Sequence, residues 1–211
     1  MGSIKMVLNM LMLNLPVEKI GGEMYELLTM ANRTTEDVFS LLDNLLKWTK
    51  SQIGNLNVVY QDVDAVEVVD SVIDVFNMVA GLKKITIREE KPEKLPVCTD
   101  IDMLKTIIRN LLSNAIKFSN ENSEVLVKME EQGDTVVVSV KDSGCGIDEE
   151  GQKKLLHTDT HFSTFGTNNE EGSGLGLLLC QDFAVKSGGK LWFTSKKGEG
   201  STFYFSIPLK K

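Results

Sequence analysis

Asn110-Leu-Leu-Ser-Asn114-Ala-Ile-Lys117-Phe118 is the stretch on which the fold turns. Asn110, Asn114 and Lys117 are spaced by four and by three, so on a helix they share one face. The apolar residues Leu104, Ile107, Ile108, Leu111 and Leu112 recur at i, i+3, i+4 and form the opposite, buried face, with Asp100 placed to cap the helix start. A carboxamide oxygen is a neutral, hard ligand of the kind that suits Mg²⁺, a cation that keeps several waters and shares substrate phosphates. Lys117 beside it can act as a point charge on phosphate oxygens. Taken alone, the same pattern describes the solvated face of an ordinary amphipathic helix.

Two further motifs lift it above that reading. Asp142-Ser-Gly144-Cys-Gly146-Ile147 stands just past an alternating apolar run, Thr135 to Val140, and Gly172-Ser-Gly174-Leu175-Gly176-Leu177 opens a helix. In the first, glycines allow a tight backbone turn, although an Asp-Ser-Gly turn between strand and helix is common by itself. In the second, three glycines let backbone N–H groups approach phosphate oxygens at a helix N-terminus, where the dipole favours negative charge. No Gly-Lys-Ser/Thr follows, so this is not a Walker A loop, and the strand-turn-helix placement of a dinucleotide fingerprint is lacking. A flexible linker is the plain alternative, but Leu175 and Leu177 alternating with glycine suit a packed helix start better.

In this order and spacing the segments resemble the N, G1 and G2 boxes of the sensor histidine kinase ATP-binding domain, which shares the GHKL (Bergerat) fold with gyrase and MutL. The resemblance runs from about Val58 to Pro208. It implies an α/β fold, a two-layer sandwich of helices on a mixed sheet preceded by an antiparallel helical hairpin segment, with ATP and Mg²⁺ as ligands. It implies that Asn114 ligates the metal with Asn110 in support, and that Lys117 meets the phosphates. Asp142 would accept the exocyclic amine of adenine, with Phe118 and Ile147 as apolar walls and Gly144 and Gly146 bringing backbone against the ligand. Gly172, Gly174, Leu175, Gly176 and Leu177 would present the phosphate cradle. A hydrogen bond to a charged acceptor contributes about 1.5–3 kcal/mol, enough to separate adenine from guanine. Between G1 and G2, His161-Phe162-Ser-Thr-Phe165-Gly166 resembles the F box at the base of the family's mobile lid, and the polar run Thr167 to Glu171 resembles the lid itself.

Working outward, the chain divides into an expected partial dimerisation hairpin, 1–56, and a catalytic ATP-binding domain, 57–211. Ile4 to Asn14 is a short apolar helical stretch interrupted by Pro16, and Gly22 to Ser51 is a longer helix. Ala31, Val38, Leu41, Leu45 and Trp48 of that helix follow a bundle or coiled-coil seam. Val58 to Tyr60 reads as a strand, Asp64 caps a helix to about Gly81, and Ile85 to Ile87 and Val97-Cys98 read as strands. Val125 to Met129 and Thr135 to Val140 form a hairpin about Gln132-Gly133-Asp134. A polar loop spans Thr158 to Glu171, and a helix starts near Gly174. Strands at Lys190 to Thr194 and Ser201 to Ile207 meet at the turn Lys197-Gly-Glu-Gly200.

At 211 residues and 42% hydrophobic composition the chain can bury a full core. A net charge of -7 argues against a nucleic-acid or anionic-membrane surface. No apolar run approaches the roughly 18–20 residues of a membrane span, and the expected setting is cytoplasmic, without membrane contact. Cys98, Cys145 and Cys180 cannot all pair and read as reduced thiols. His157 and His161, the only two histidines, have helical spacing but no further ligands, and read as loop residues rather than a metal site.

The resemblance also implies a reaction: transfer of the ATP γ-phosphoryl to a histidine of a homodimer's helical hairpin, then relay to the receiver domain of a response regulator. Catalysis of that kind is positioning and charge neutralisation by Mg²⁺, Lys117 and the G2 backbone, and the resemblance names Asn110, Asn114 and Lys117 as the catalytic residues. In the family the acceptor histidine lies on the first hairpin helix. Ser3-Ile4-Lys5-Met6 looks like sequence shortly after it, and Gly2-Ser3 like an engineered scar, so this stretch is expected to bind Mg-ATP without autophosphorylating. Two alternatives stand beside this: a GHKL-type ATPase module, and a nucleotide-binding regulatory pseudokinase or dimerisation module. The ATPases place a glutamate base at the first N-box position, where this chain has Asn110, which cannot take a proton.

Overall fold

The computed structural model describes residues 10, 21–52, 58–155, 166–167 and 174–209. The chain separates into two compact units, Met1–Ile53 and Gly54–Lys211. In the first, helix α1 (Gly22–Gln52) matches the expected helix to within a residue. The hydroxyls of Thr29, Thr35 and Thr49 donate to the carbonyls four residues earlier, of Tyr25, Ala31 and Leu45, at 2.7–2.8 Å. Threonine is thereby accommodated in a long helix despite its poor propensity. Met24, Leu27, Met30, Val38, Leu45 and Leu46 are exposed, so the expected seam shows apolar side chains on the helix surface. The side chains of Leu41 and Trp48, the stretch Ile4 to Asn14 and Pro16 lie outside the described side chains and residues, Met10 apart.

The second unit is ordered around aspartate caps. Strand β1 (Gln61–Asp64) ends at Asp64, whose carboxylate accepts from the Val66 N–H and starts helix α2 (Ala65–Leu82). Strands β2 (Thr86–Glu90) and β3 (Pro96–Thr99) follow. Asp100 then caps helix α3 (Ile101–Phe118), accepting from Asp102 and Met103 N–H at 2.9 and 3.0 Å. The strand expected at Val58 to Tyr60 is not one: the ladder begins at Gln61, where β1 pairs antiparallel with β3. Val59 N–H bonds Asp100 Oδ2 at 2.9 Å and Tyr60 Oη donates to the Lys186 carbonyl at 2.8 Å, so this β-branched run spends its polar groups on helix ends. Asp100 thus serves two elements. Asp100→Ala is expected to cost about 2 kcal/mol, the upper end of N-cap effects, read as a lower urea midpoint at unchanged slope.

β4 (Glu124–Gln132) and β5 (Thr135–Lys141) form the expected hairpin, with Gly133 at φ +63° in the turn. A short helix α4 (Glu149–Lys154), capped by Asp148, was not foreseen; six residues are too few to show a period. Helix α5 (Gly176–Lys186) begins two residues later than expected, and β6 (Leu191–Lys196) and β7 (Gly200–Pro208) close the described chain. The main sheet has order β2-β4-β5-β7-β6, with β2 parallel to β4 and the other pairs antiparallel.

One sheet face is apolar by alternation: Met129, Val138, Phe205 and Leu191 are aligned across four strands and are buried. Against it lie the buried residues of α2, α3 and α5, including Ile73, Ile108, Leu112 and Leu179. Burying each such side chain contributes about 1.5–3 kcal/mol. The other face is polar and aromatic, with Trp192 stacked on Tyr204 at 5.3 Å. This is the mixed α/β sandwich that the motifs implied. Among the described residues no helix is long and apolar enough to cross a membrane.

Candidate functional site

The C-terminal turn of α3 is where the motifs meet. The carbonyl of Phe118 accepts the Cys145 N–H at 3.3 Å, and a Cβ on Gly144 would lie 2.0 Å from that same oxygen. Gly146, at φ +62°, presses on the β6–β7 turn, where a Cβ would lie 2.0 Å from the Lys196 carbonyl. Gly198 N–H donates to the Cys145 carbonyl at 2.7 Å, and Ile147 N–H to Ser195 Oγ at 2.8 Å. The segment Gly144 to Ile147 is therefore clamped between the end of α3 and a hairpin turn. Neighbouring protein backbone requires glycine at positions 144 and 146, a constraint the sequence did not show.

Asp142 follows the end of β5 and is only 4% exposed. Its Oδ1 accepts from Gly144 N–H at 2.9 Å and from Ser201 N–H at 3.2 Å, while Oδ2 has no hydrogen bond among the described residues. Burial raises its pKa above the ordinary carboxylate value, and the two backbone N–H groups pull it partly back. The result is a rigidly aimed acceptor with one oxygen left for an outside donor.

On α3, Asn110 Nδ2 donates to the Thr106 carbonyl at 2.9 Å, which fixes the amide and leaves its oxygen as acceptor. That oxygen would lie 2.7 Å from a Cβ on Gly176, so the N-box and G2 segments touch. Asn114 is half-buried and its carboxamide makes no hydrogen bond among the described residues. A carboxamide held on a packed helix with its oxygen uncommitted fits a Mg²⁺ ligand. Lys117 Nζ lies 5.0 Å from the centre of the Phe118 ring.

The start of α5 differs from those of α2, α3 and α4. Those three begin with an aspartate cap; α5 begins at Leu175 with no side-chain cap and no acidic residue in its first turn. Gly174 precedes it at φ +69°, Leu175 is buried and Leu177 half-buried. An N-terminus without an acidic residue in its first turn keeps the positive end of its helix dipole available to an anion. Gly172, His157, His161, Phe162 and Phe165 lie outside the described residues.

Four residues of the site were missed in the sequence. Ser201 supplies the second donor to Asp142, and Gly200, at φ +106°, sits where a Cβ would be 2.1 Å from the Asp142 carbonyl. Both had been read only as hairpin residues. Lys83, treated below, carried no motif, and Thr167 had been read only as the start of the lid-like polar run. A groove of about 770 Å³ lined by Tyr60, Asp62, Cys98, Asp134, Ser187 and Pro208 lies at the other end of β5 and contains none of the motif residues. The candidate site is therefore taken where the motif residues meet, at the α3 turn. The three cysteines are free; Cys180 is fully buried, and burial pushes its thiol far up, out of reactive range.

Helices on one face of a mixed sheet, a glycine-led helix without a side-chain cap and a buried aspartate beside an Asn-bearing helix are thus brought together in one domain. The family described as histidine kinase-, DNA gyrase B- and HSP90-like ATPase matches residues 99–211, more than half of the chain. The adaptive-response sensory kinase SasA of Rippkaea orientalis is 30% identical over 171 residues, 80% of this chain and 43% of that protein. The catalytic domain of histidine kinase ThkA, in a nucleotide-free form, superposes with a TM-score of 0.63 at 30% identity, covering 72% of this chain and 96% of that one. Full-length ShkA in complex with AMPPNP gives a TM-score of 0.73 over 100% of this chain and 44% of its own, at 22% identity, a likeness of fold. The chain belongs to this ATPase family, and its domain is the GHKL ATP-binding domain of the sensor histidine kinase type. It spans less than half the length of SasA.

Proposed function

We propose that this chain is the ATP-binding catalytic core of a sensor histidine kinase, which transfers the γ-phosphoryl of ATP to a histidine on the dimerisation helix for relay to a response-regulator aspartate. The observation that carries this reading is the Asp142 carboxylate, aimed by two backbone donors and left with one free oxygen for the adenine amine. Phe118 and Ile147 are proposed to flank the base. Asn114, supported by Asn110, would hold Mg²⁺, which would supply charge neutralisation for the phosphates. Lys117 contacts the phosphate oxygens, and the α5 N-terminus with Gly172, Gly174, Leu175, Gly176 and Leu177 cradles them. The units 1–56 and 57–211 are then a partial dimerisation hairpin and the catalytic domain. Residues 1–56 contain no histidine, so the chain alone is expected to bind Mg-ATP without phosphorylating itself.

Calorimetric titration with ATP, with and without Mg²⁺, tests the site. Wild type is expected to bind in the micromolar to millimolar range and more tightly with Mg²⁺. Asn114→Ala is expected to lose about tenfold in Mg-ATP affinity, and to lose the metal dependence with it. Labelled ATP and a histidine-bearing hairpin supplied in trans should yield phosphohistidine. A folded chain that binds no nucleotide defeats the reading.

A further inference from the structure

Lys83 is the one buried lysine among the described residues, 7% exposed, and no motif called attention to it. It follows α2 as the C-cap residue, and its ammonium donates to the carbonyls of Ile116 and Lys117 at 3.0 Å each and to Thr167 Oγ1. A buried ammonium is costly unless its three donors are met, and here three acceptors among the described residues converge on it. Two of these are last-turn carbonyls of α3, where a positive charge is favoured by the helix dipole. Thr167 is pinned to the same turn: its N–H donates to the Lys117 carbonyl at 3.2 Å, and its hydroxyl lies 3.0 and 2.8 Å from the carbonyls of Lys117 and Ser119.

We infer that Lys83 is a positioning residue for phosphate recognition. The inference rests on the nucleotide site proposed above and adds a residue to it. The ammonium ties three things together: the end of α2, the last turn of α3, and the chain between the Asp142 and Gly174 segments at Thr167. That last turn also presents the Phe118 carbonyl to Cys145. Lys117 is thus held by the backbone carbonyl of its own residue. Its side chain leaves a Cα that cannot rotate with the fraying expected of a helix terminus. Base recognition rests chiefly on Asp142, which Lys83 does not contact, while Phe118 is tied to the G1 segment separately, through its own carbonyl to Cys145. Loss of Lys83 should therefore damage phosphate recognition and spare the base.

The test compares ATP and adenosine binding to the full chain in Mg²⁺, for wild type, Lys83→Met and Thr167→Val, with folding followed by circular dichroism. Lys83→Met keeps the length and removes the donors; it is expected to weaken ATP about tenfold and adenosine by less than about twofold, the loss of a charge-assisted hydrogen bond acting at a distance from the base. Thr167→Val leaves the ammonium in place and is expected to show the same selectivity at about threefold. Equal loss for both ligands would mark Lys83 as a structural residue only and overturn the inference, as would unchanged ATP binding in folded Lys83→Met. If Lys83→Met does not fold, Thr167→Val decides, and unchanged ATP binding there overturns it. A wild type that binds neither ligand removes the nucleotide site itself, a result distinct from all of these.

Discussion

Asp142→Asn is expected to lose ATP by on the order of 100-fold or more, while the folded protein is no less stable at neutral pH. The two halves of this result have one cause. In the wild type Oδ1 takes both backbone donors, from Gly144 and Ser201, and Oδ2 remains for the adenine amine. An asparagine can keep its oxygen on those donors, but its NH₂ then faces the amine, donor against donor. The site loses a charge-assisted bond and leaves two buried donors unmatched. Stability moves otherwise, because the folded pKa of Asp142 is raised by burial. The native state then holds the proton more tightly than the unfolded chain does. The cost of the buried charge is absent below the ordinary carboxylate range, grows as pH rises between the unfolded and the raised folded value, and is complete above it. Asparagine never incurs that cost. The variant's relative stability is therefore greatest at neutral pH and shrinks as pH falls through that window. Urea unfolding across pH, beside calorimetric titration with ATP, reads both effects. A variant that binds ATP like wild type would remove Asp142 from the base site.

What the sequence made legible was periodic or punctuated. The α3 face of Leu104, Ile107, Ile108, Leu111 and Leu112 is buried as its spacing required, and Asp64 and Asp100 cap the helices they were expected to cap. The β4–β5 hairpin follows from alternation about a Gly turn. Val58 to Tyr60 misled because strand propensity does not say who takes the N–H groups, and here the carboxylate that caps α3 takes one of them. The glycines of the G1 segment were visible, but not their reason: the contacts that require them come from Phe118 and Lys196, 26 and 50 residues away in sequence. Lys83 was invisible for a related cause. A lysine after a helix reads as a solvated end, and only the folded chain brings Ile116, Lys117 and Thr167 over it.

The β6–β7 turn supplies the sharpest contrast, since it holds two glycines at positive φ with different surroundings. Gly198 has φ +83° and nothing within 4 Å of a would-be Cβ; Gly200 has φ +106° and the Asp142 carbonyl 2.1 Å away. Gly198→Ala should therefore cost only backbone strain, about 1–2 kcal/mol. It should hold ATP within about twofold, because its N–H still reaches the Cys145 carbonyl. Gly200→Ala adds a collision with backbone that no rotamer can relieve, and is expected to cost about 3 kcal/mol or more. The residue after it is Ser201, whose N–H holds Asp142 Oδ1 and whose carbonyl accepts the Asp142 N–H at 2.9 Å. Relief of the clash must part β7 from the end of β5, and with it the carboxylate from its aim. ATP affinity in Gly200→Ala is accordingly expected to fall about tenfold or more even where the protein is still fully folded. Urea midpoints rank the two variants by stability, and titration below the unfolding range separates strain from misplacement. Equal ATP losses in the two would show that the turn as a whole supports Asp142; loss confined to Gly200→Ala shows that the close approach of its backbone does.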